Sequence, residues 1–533
     1  MKGGCRLIDS PCRCVPAAGE AMRREWRSYS RDPYPDVQVH QIPSGVRAIT
    51  GVATSITAFV GRTQRGPVKT ATTVNGFADY ERVFGGLWPD STVSFAVRDF
   101  FTGGGERAVV VRLVRNAGRA QWDIDGLLLE AVDEGSWANT VEVTLTQVDA
   151  AVDDAFAGRL GVTRADLFNL VVRDPVTGEF EVHSNVTVLA GPRRLSEVLS
   201  ADSRLLRTRN PLPAGVPAPV ADVAVTAEGV DGEDLSPASY TDGRADHQGL
   251  YGLDGTDLFN LLCIPPPTVS GETANTVYQA ALEYCVDRRA VLIVDAPDAL
   301  TPANGAAQLE TLGLTGPAAR NAAMYYPRIL VADPTSANQI RTFVGCGAVA
   351  GVIARSDATR GVWKAPAGID TNLAGTADLA VNLTDDENAR LTPLGINCLR
   401  SFPLVGHVVW GARTLRGADV LADEYKYLPV RRLALNIEES LLRGTQWVVT
   451  DPNDEPLWAQ IRLSVGVFLQ GLFSLGAFQG ASPREAYFVK CDHETTTPDD
   501  VDLGRVNIGV GFAPLRPAEF VVLQIQQIAR AEA

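Results

Sequence analysis

The chain has 533 residues, of which 45% are hydrophobic and 21% are charged, as in ordinary folded globular proteins. A chain of this length is expected to form about three domains. Its formal net charge of −15 argues against a nucleic-acid-binding protein, because such proteins neutralise phosphates with clustered Lys and Arg.

The sequence also argues against membrane insertion and secretion. The most apolar stretch, residues 461–478, contains Arg462 and several glycines, so it falls short of a clean transmembrane span. Residues 1–19 lack the apolar core of a secretory signal. The eight cysteines are scattered and include no CxxC pair, which predicts reduced and mostly buried thiols.

The N-terminal part differs in composition from the rest of the chain. Residues 1–30 are rich in Arg, Gly and Cys and lack periodicity, so we expect a disordered extension. Residues 31–50 predict an extended N-terminal arm. In this arm Val37 and Val39 alternate with polar residues, and nearby prolines exclude helix. The pattern predicts a lone strand over residues 37–42.

Apolar strands alternate with amphipathic helices in residues 51–119 and 251–395, which predicts an α/β core. Strands are predicted at residues 58–60, 108–114, 290–295 and 328–332, and helices at residues 91–101, 273–288 and 348–356. Between the two halves, residues 120–250 predict an inserted β-rich domain. Its predicted elements are strands at 140–148, 167–173 and 179–183, a helix at 193–206 and a Pro-rich loop at 211–219.

Residues 396–515 predict an α+β C-terminal domain, and residues 516–533 predict a C-terminal arm. The predicted strands are 396–399, 407–410, 487–491, 505–512 and 520–528, and the predicted helices are 432–444 and 456–476. Apolar residues of the second helix wrap most of the way round it, so we expect burial on several of its sides.

No motif in the sequence predicts catalysis, a cofactor or a metal. Gly61 and Gly66 have the spacing of a P-loop, but Pro67 and Val68 follow where Lys and Ser or Thr would hold a triphosphate. The stretch from Gly345 to Gly351 is similar to a dinucleotide-binding turn but does not open the first βα unit, so close packing of a helix against a sheet is the preferred interpretation. None of the five histidines lies in HExxH, and no GxSxG occurs. A Ser-His-Asp triad stays open, because triads assemble in space.

Several blocks in chain order resemble the contractile tail sheath family of phages and related injection systems. These are residues 42–61, Gly135-Ser-Trp-Ala-Asn139, residues 350–367, Asn436-Ile-Glu-Glu-Ser440 with Gly444-Thr-Gln-Trp447, residues 455–458, residues 504–508 and residues 517–520. Ala138 stands where the family usually has glycine. The resemblance covers nearly everything after about Tyr34.

The resemblance implies a subtilisin-like α/β core that carries no enzymatic activity. It also implies stacked hexameric rings around an inner tube, with baseplate and terminator proteins as further partners. Such a particle, a phage virion tail or a contractile injection particle, would be assembled in the cytoplasm. The alternatives are another tail or baseplate component, and a hydrolase on the same core that would react with a fluorophosphonate.

In the resembling sheaths, terminal arms of neighbouring subunits add strands to each C-terminal domain. The two predicted arm strands fit this role, although pairing within one chain is the alternative. The residues expected to exchange are Val37, Gln38, Val39, His40, Gln41, Ile42, Phe520, Val521, Val522, Leu523, Gln524, Ile525, Gln526, Gln527 and Ile528. In the helix at 456–476, Gln460 and Arg462 offer a polar contact to the tube.

Overall fold

The computed structural model describes residues 47–149 and 154–519, and the two predicted arm strands lie outside these residues. The strands are β1 (Thr57–Gly61), β2 (Thr72–Val74), β3 (Ala108–Arg112), β4 (Gln121–Ile124), β5 (Leu127–Ala131), β6 (Glu142–Gln147), β7 (Phe168–Arg173), β8 (Phe180–Val186), β9 (Leu206–Thr208), β10 (Val220–Val223), β11 (Leu261–Cys263), β12 (Val291–Asp295), β13 (Ala322–Tyr326), β14 (Ile329–Asp333), β15 (Gln339–Phe343), β16 (Asp378–Leu379), β17 (Ile396–Phe402), β18 (Gly406–Val409), β19 (Tyr487–Lys490) and β20 (Gly509–Phe512).

The α-helices, in chain order, are α1 (Phe77–Phe84), α2 (Val93–Thr102), α3 (Asp154–Arg159), α4 (Leu195–Asp202), α5 (Pro237–Thr241), α6 (Asn275–Asp287), α7 (Gly305–Leu312), α8 (Cys346–Arg360), α9 (Asp385–Leu391), α10 (Leu428–Gly444), α11 (Glu455–Ser474), α12 (Pro483–Ala486) and α13 (Pro498–Asp502). Within the described residues, none of these helices is both long and apolar enough to cross a membrane.

A sheet in the order β18-β17-β13-β12-β11-β1-β3-β2 forms the centre of the fold. Its inner strands pair in parallel, and β2 and β18 close the two ends in antiparallel orientation. Strands β1, β3, β12 and β13 are buried at every residue. Continuous apolar runs of this kind are typical of a parallel sheet that is covered on both faces.

Two hydrophobic clusters cover the two faces of this sheet. Along β1, Ala58 and Val60 point into the cluster that contains α6, whereas Phe59 points into the cluster that contains α2 and α8. Successive side chains of a strand alternate between faces, so one short strand serves both cores. The predicted α/β core is therefore present, with its helices on both sides.

Glycines let α8 pack closely against α2. A Cβ on Gly347 would lie 2.0 Å from the carbonyl oxygen of Ala96, and one on Gly351 would lie 2.5 Å from that of Phe100. The two glycines are four residues apart and therefore lie on one side of the helix. The glycine-rich stretch therefore permits close packing, as predicted, but the predicted partner is wrong, because the glycines face helix α2 and not a sheet.

The inserted part folds as two further sheets with a core of their own. One has the order β10-β6-β7-β8 and the other the order β4-β5-β9. Their shared core includes Trp122, Leu145 and Leu170. The three predicted strands of this domain correspond to β6, β7 and β8. The predicted helix at 193–206 is shorter, because the chain leaves α4 after Asp202 and enters β9 at Leu206.

Two predictions about the core differ from the structure. Residues 328–332, predicted as a parallel strand, form most of β14, which pairs antiparallel with β15 and β16 in a separate sheet. The parallel strand is β13, and Pro327, which cannot donate a ladder hydrogen bond, separates the two. Residues 396–409, assigned to the C-terminal domain, belong to the central sheet, because β17 pairs with β13.

Candidate functional site

The C-terminal part presents a small sheet with open edges. Strands β19 and β20 pair antiparallel, with Phe488 opposite Gly511 and Val489 opposite Val510. Within the described residues this sheet has two strands, so one edge of each strand pairs with no further strand. The backbone N–H and C=O groups along such edges can pair with an added strand.

The two faces of this sheet differ in character. Tyr487 and Phe512 face inward, where their rings lie 6.1 Å and 5.7 Å from the ring of Phe478. On the outer face, Phe488 is 61% exposed and its ring covers Gly511, where a Cβ would come within 2.2 Å of the ring. The inner face ties the sheet to the domain core, and the outer face leaves a large aromatic ring accessible.

Helix α11 packs against this sheet with one of its sides. Its N-cap Asp454 accepts a hydrogen bond from the backbone N–H of Leu457 at 3.1 Å, and Pro456 stands in its first turn. The side of the helix that contains Ile461, Val465 and Leu469 is fully buried. The sheet and this helix share one hydrophobic core, which also contains Cys491.

The expectation that α11 is buried on several sides is wrong for one face. Leu463 is 48% exposed and Val467 is 50% exposed, four residues further along the same side. The polar residues predicted to contact a tube are engaged within the chain. Arg462 donates to the backbone carbonyl of Cys491 and to Glu455 at 2.6 Å, while Gln460 is half-buried. Sequence periodicity did not separate these faces, because apolar residues occur on all of them.

The start of the described chain lies along helix α10. Ser440 accepts a hydrogen bond from the backbone N–H of Val52 (3.1 Å), and Asn436 donates to the Val52 carbonyl (3.0 Å). One turn earlier, Arg432 donates to the carbonyl of Thr54 (2.9 Å). These three side chains are spaced by four residues, so they form one row on the helix that binds an extended segment.

The same row continues to the end of α10. A Cβ on Gly444 would lie 2.6 Å from a side-chain carbon of Ile49, so this glycine makes room for the segment. Beyond it, the guanidinium of Arg47 stacks on the Trp447 ring at 4.3 Å from the ring centroid. The motifs at 436–440 and 444–447 therefore hold the chain at residues 47–52, which include the core-proximal end of the predicted N-terminal arm.

A buried ion pair anchors this segment to the core. Arg432 and Asp357 have side chains that are 3% and 4% exposed, and the Arg432 guanidinium donates to both Asp357 oxygens, one at 2.8 Å. The hydroxyl of Thr54 donates to Asp357 at 2.6 Å. Residue 357 belongs to the third motif block, so that block also contributes to holding the chain entry.

The P-loop-like stretch, residues 61–66, binds the side chain of Arg112. The buried guanidinium of Arg112 donates to the carbonyl oxygens of Thr63 (3.3 Å) and Gly66 (2.7 Å). Carbonyl oxygens turned toward an arginine give the opposite polarity to a phosphate cradle, in which N–H groups point at the ligand. Burial lowers the pKa of Arg112, and the nearby Asp133 and Glu134 oppose that shift.

Three of the histidines contact acceptor groups. His183 lies 3.2 Å from Glu181, His247 lies 2.9 Å from Asp254 and His407 lies 3.2 Å from the carbonyl of Ala377. In residues 47–149 and 154–519, no histidine ring hydrogen bonds to a serine hydroxyl or a cysteine thiol. The same residues contain no group of three or more His, Cys, Asp or Glu side chains that could hold a metal ion.

One acid is buried at the carboxyl end of the parallel sheet. Asp295 ends β12, and its Oδ1 accepts a hydrogen bond from the backbone N–H of Cys346 at 2.9 Å. Its Oδ2 has no hydrogen-bond partner among the described residues. Burial raises the pKa of Asp295 to about 6, against the opposing hydrogen bonds from Cys346. The five described cysteines, including Cys346, are unpaired and buried, as predicted.

Comparison with known proteins identifies two consecutive domains. Residues 239–415 match the phage tail sheath protein central domain, and residues 422–528 match the phage tail sheath C-terminal domain. Together the matches cover just over half of the chain. The tail sheath protein of Enterobacteria phage T4 is 24% identical over 188 residues, which are 35% of this chain. The matched region spans 27% of that relative and 29% of the related protein of Salmonella phage ViI.

Solved structures share the fold over most of the chain. The sheath complex of an extracellular contractile injection system, PVC, in its contracted state has a TM-score of 0.56 at 21% identity and covers 93% of this chain and 98% of its own. The sheath tail protein of Listeria innocua has a TM-score of 0.59 at 13% identity and covers 88% and 96%. The helical sheath of the anti-feeding prophage in its contracted state gives 0.55 at 22% identity, over 93% and 99%.

Proposed function

Because the chain belongs to the family of phage tail sheath proteins, we propose that it is a structural subunit of a contractile tail or injection particle. The subunits polymerise as stacked hexameric rings around an inner tube and contract to drive that tube through a target envelope. Baseplate and terminator proteins bind the two ends. The particle is assembled in the cytoplasm, the core is subtilisin-like without catalytic activity, and the inserted domain faces outward.

The observation that carries this proposal is the two-stranded sheet of β19 and β20. Its open edges offer backbone donors and acceptors to strands from outside the domain. We propose that residues 37–42 and 520–528 of neighbouring subunits occupy these edges. Both segments lie outside the described residues, and both have the alternating pattern of a strand that is half covered.

Strand exchange suits a machine that must move without coming apart. Backbone hydrogen bonds of an added strand hold a neighbouring subunit while the rigid cores rotate and slide. The extended sheath is a kinetically trapped state in this proposal, and contraction releases free energy that was stored during assembly. A nucleotide is not required, which agrees with the arginine-filled loop at 61–66.

The tube contact belongs to helix α11 in this proposal. Gln460 and Arg462 lie beside the exposed apolar side that contains Leu463 and Val467. An inner tube covering that side would remove these two half-exposed side chains from water, a favourable change of about 1 kcal/mol for each side chain. The polar pair would then border the apolar contact rather than form its centre.

Arm deletion combined with electron microscopy tests the proposal. Removing residues 34–42 or residues 520–533 should leave folded subunits that fail to form long hollow cylinders. Removing residues 1–21 is the matched control, since these residues precede the predicted arm, and it should leave cylinder length unchanged. Cylinders of normal length from either arm deletion would refute strand exchange between subunits.

A further inference from the structure

We propose that two buried arginines, Arg432 and Arg413, clamp the roots of the N-terminal and C-terminal arms onto the central sheet, so that tension on an arm enters the rigid core. This inference rests on the proposed strand exchange and deepens it. It assigns a positioning role to side chains outside the strands that are exchanged. The root of each arm is the segment that lies between its proposed exchange strand and the core, residues 47–56 at the N-terminal end and residues 513–519 at the C-terminal end.

The C-terminal root is held by a two-pronged ion pair. Arg413, which is 1% exposed, donates from Nε to Oε1 of Glu519 at 2.7 Å and from Nη2 to Oε2 at 2.6 Å. The hydroxyl of Tyr427 donates to Glu519 at 3.1 Å, and the Lys426 ammonium lies 3.5 Å from the same carboxylate. Glu519 is next in sequence to the proposed exchange strand at 520–528, so this carboxylate holds the chain at the residue that adjoins that strand.

The Arg413 side chain is itself fixed to the core. Its Nη1 donates to the carbonyl oxygens of Thr392 (2.8 Å) and Gly417 (3.2 Å) and to Asp419 at 3.0 Å. Its backbone N–H donates to Asn397 at 2.7 Å, and Asn397 lies on β17 of the central sheet. A pull on Glu519 is therefore transmitted to a strand of the largest sheet. It passes through a guanidinium whose other hydrogen bonds fix its orientation.

The N-terminal root is also held by a buried arginine, with a different arrangement. Arg432 of α10 donates to the carbonyl of Thr54 and, with its guanidinium fork, to both oxygens of Asp357, and Thr54 lies three residues before β1 of the central sheet. Asp357 is on α8, which packs closely against α2, and it accepts a hydrogen bond from the Thr54 hydroxyl. The guanidinium fork therefore binds the root directly at Arg413 and through Asp357 at Arg432. Such a fork is more strongly directional than a lysine, whose ammonium can swivel on its flexible stem.

Without the clamps, tension would be taken by weaker contacts. Between β20 and Glu519, the chain is attached to the domain by the bridge between Pro514 and Phe478 and by two backbone hydrogen bonds, from Gln479 to the Ala513 carbonyl and from Ala513 to the Ala486 carbonyl. Peeling such a segment breaks one bond at a time, whereas the fork must release its bonds together. The clamp therefore protects the strand partners from being pulled off sequentially when neighbouring subunits move apart.

The test compares Glu519→Gln with Glu424→Gln in the full chain. Both substitutions remove one carboxylate charge, but Glu424 is exposed and pairs with Arg320 rather than with an arm root. A third variant, Thr54→Val, removes the hydroxyl at the N-terminal root and keeps the side-chain shape. Each variant is assayed by hydrogen exchange of the subunit, by its thermal midpoint, and by the guanidinium concentration that dissociates assembled sheaths.

We expect Glu519→Gln to lower the protection of the Gln479 and Ala513 amides, the hydrogen-bonded amides nearest the root, about tenfold, because the segment after them is released. The subunit midpoint should stay unchanged, because Arg413 keeps Asp419 as a counter-charge. The sheaths of Glu519→Gln and of Thr54→Val should dissociate at a lower guanidinium concentration than wild type, and those of Glu424→Gln at the wild-type value. The inference is overturned if the protection of the Gln479 and Ala513 amides is unchanged. It is also overturned if the sheaths of Glu519→Gln and Glu424→Gln dissociate alike.

Failure of this inference is distinguishable from failure of the proposed function. If deletion of residues 520–533 still permits long cylinders, strand exchange is wrong and the clamp has nothing to hold. If that deletion blocks cylinders while Glu519→Gln behaves like the control, strand exchange stands and the clamp alone is refuted.

Discussion

The ion pair between Arg432 and Asp357 makes a quantitative prediction about stability. Both side chains are almost fully buried, and Thr54 adds a hydroxyl donor to the carboxylate. In Asp357→Asn, the guanidinium keeps its charge but loses the opposing charge. Breaking a buried pair on one side costs about 3–5 kcal/mol, because an uncompensated charge remains in the interior. We expect the free energy of unfolding to fall by that amount.

The double variant separates the ion pair from general damage at the site. In Asp357→Leu with Arg432→Met no charge is left without a partner, so the loss should be smaller than the sum of the two single losses by at least about 2 kcal/mol. The control is Asp79→Asn, which removes the partner of Arg82 in an exposed pair and should cause no measurable change.

Urea denaturation followed by tryptophan fluorescence measures five variants against the wild type: Asp357→Asn, Asp357→Leu, Arg432→Met, the double variant and Asp79→Asn. Trp447 and Trp458 lie in the C-terminal core near helix α10, so their signal reports this region. Additive losses in the double variant would refute the reasoning, because they would mean that the two charges do not interact. A loss below about 1 kcal/mol for Asp357→Asn would refute it as well.

Three further predictions test the core, the tube contact and the C-terminal root. Asp295→Asn should stabilise the protein at pH 7 by roughly 1–3 kcal/mol, because the raised pKa of Asp295 makes its ionised form unfavourable in the fold. The stability of the wild type should rise as pH falls from 6 to 4, so the advantage of the variant should shrink over that window, as measured by urea unfolding of both proteins at each pH. A flat difference between the two proteins over that window would contradict it. Leu463→Asp should leave the thermal midpoint unchanged and reduce co-sedimentation with the inner tube. The same substitution at Leu503, which is 64% exposed, should leave co-sedimentation unchanged; an equal reduction by both substitutions would contradict a specific contact. Burial alone would raise the pKa of Glu519, but the hydrogen bond and the charge of Arg413 outweigh burial and lower this pKa. The ionised carboxylate therefore stabilises the root at pH values above its ordinary pKa of 4.5, and this stabilisation is lost as pH falls below that value. The protection factors of the Gln479 and Ala513 amides, which correct the exchange rate for its intrinsic pH dependence, should accordingly fall below about pH 4.5, and unchanged protection factors at pH 3 would contradict the assignment.

The sequence located most elements of the core, because their patterns are strong and local. Residues 290–294 form a continuous apolar run before Asp295, and the helix at 273–288 has helical spacing, so both elements were predicted close to their observed bounds. Strand β13 was missed because Ala322–Tyr326 contains no β-branched residue, while the neighbouring Ile329–Asp333 has the stronger strand composition. The position of β14 outside the central sheet depends on tertiary pairing.

The candidate site was only partly accessible from the sequence. A row of Arg432, Asn436, Ser440 and Gly444 at four-residue spacing, next to the apolar side of the helix with Leu433 and Ile437, is a local signal that something polar is bound there. Its partners, Val52 and Thr54, are more than 370 residues away in sequence, so no local pattern could name them. The open edges of β19 and β20 likewise follow from which strands pair, not from the residues of either strand.

The central claim is that the terminal strands of this chain pair with the small β19–β20 sheets of neighbouring subunits. Electron cryo-microscopy of the full chain polymerised around its tube tests that claim most directly, with the density at β19 and β20 traced to its subunit of origin. The account predicts that residues 37–42 and 520–528 on each small sheet come from neighbouring subunits. Strands traced to the same chain that carries the sheet, or a protein that stays monomeric with both arms intact, would contradict it.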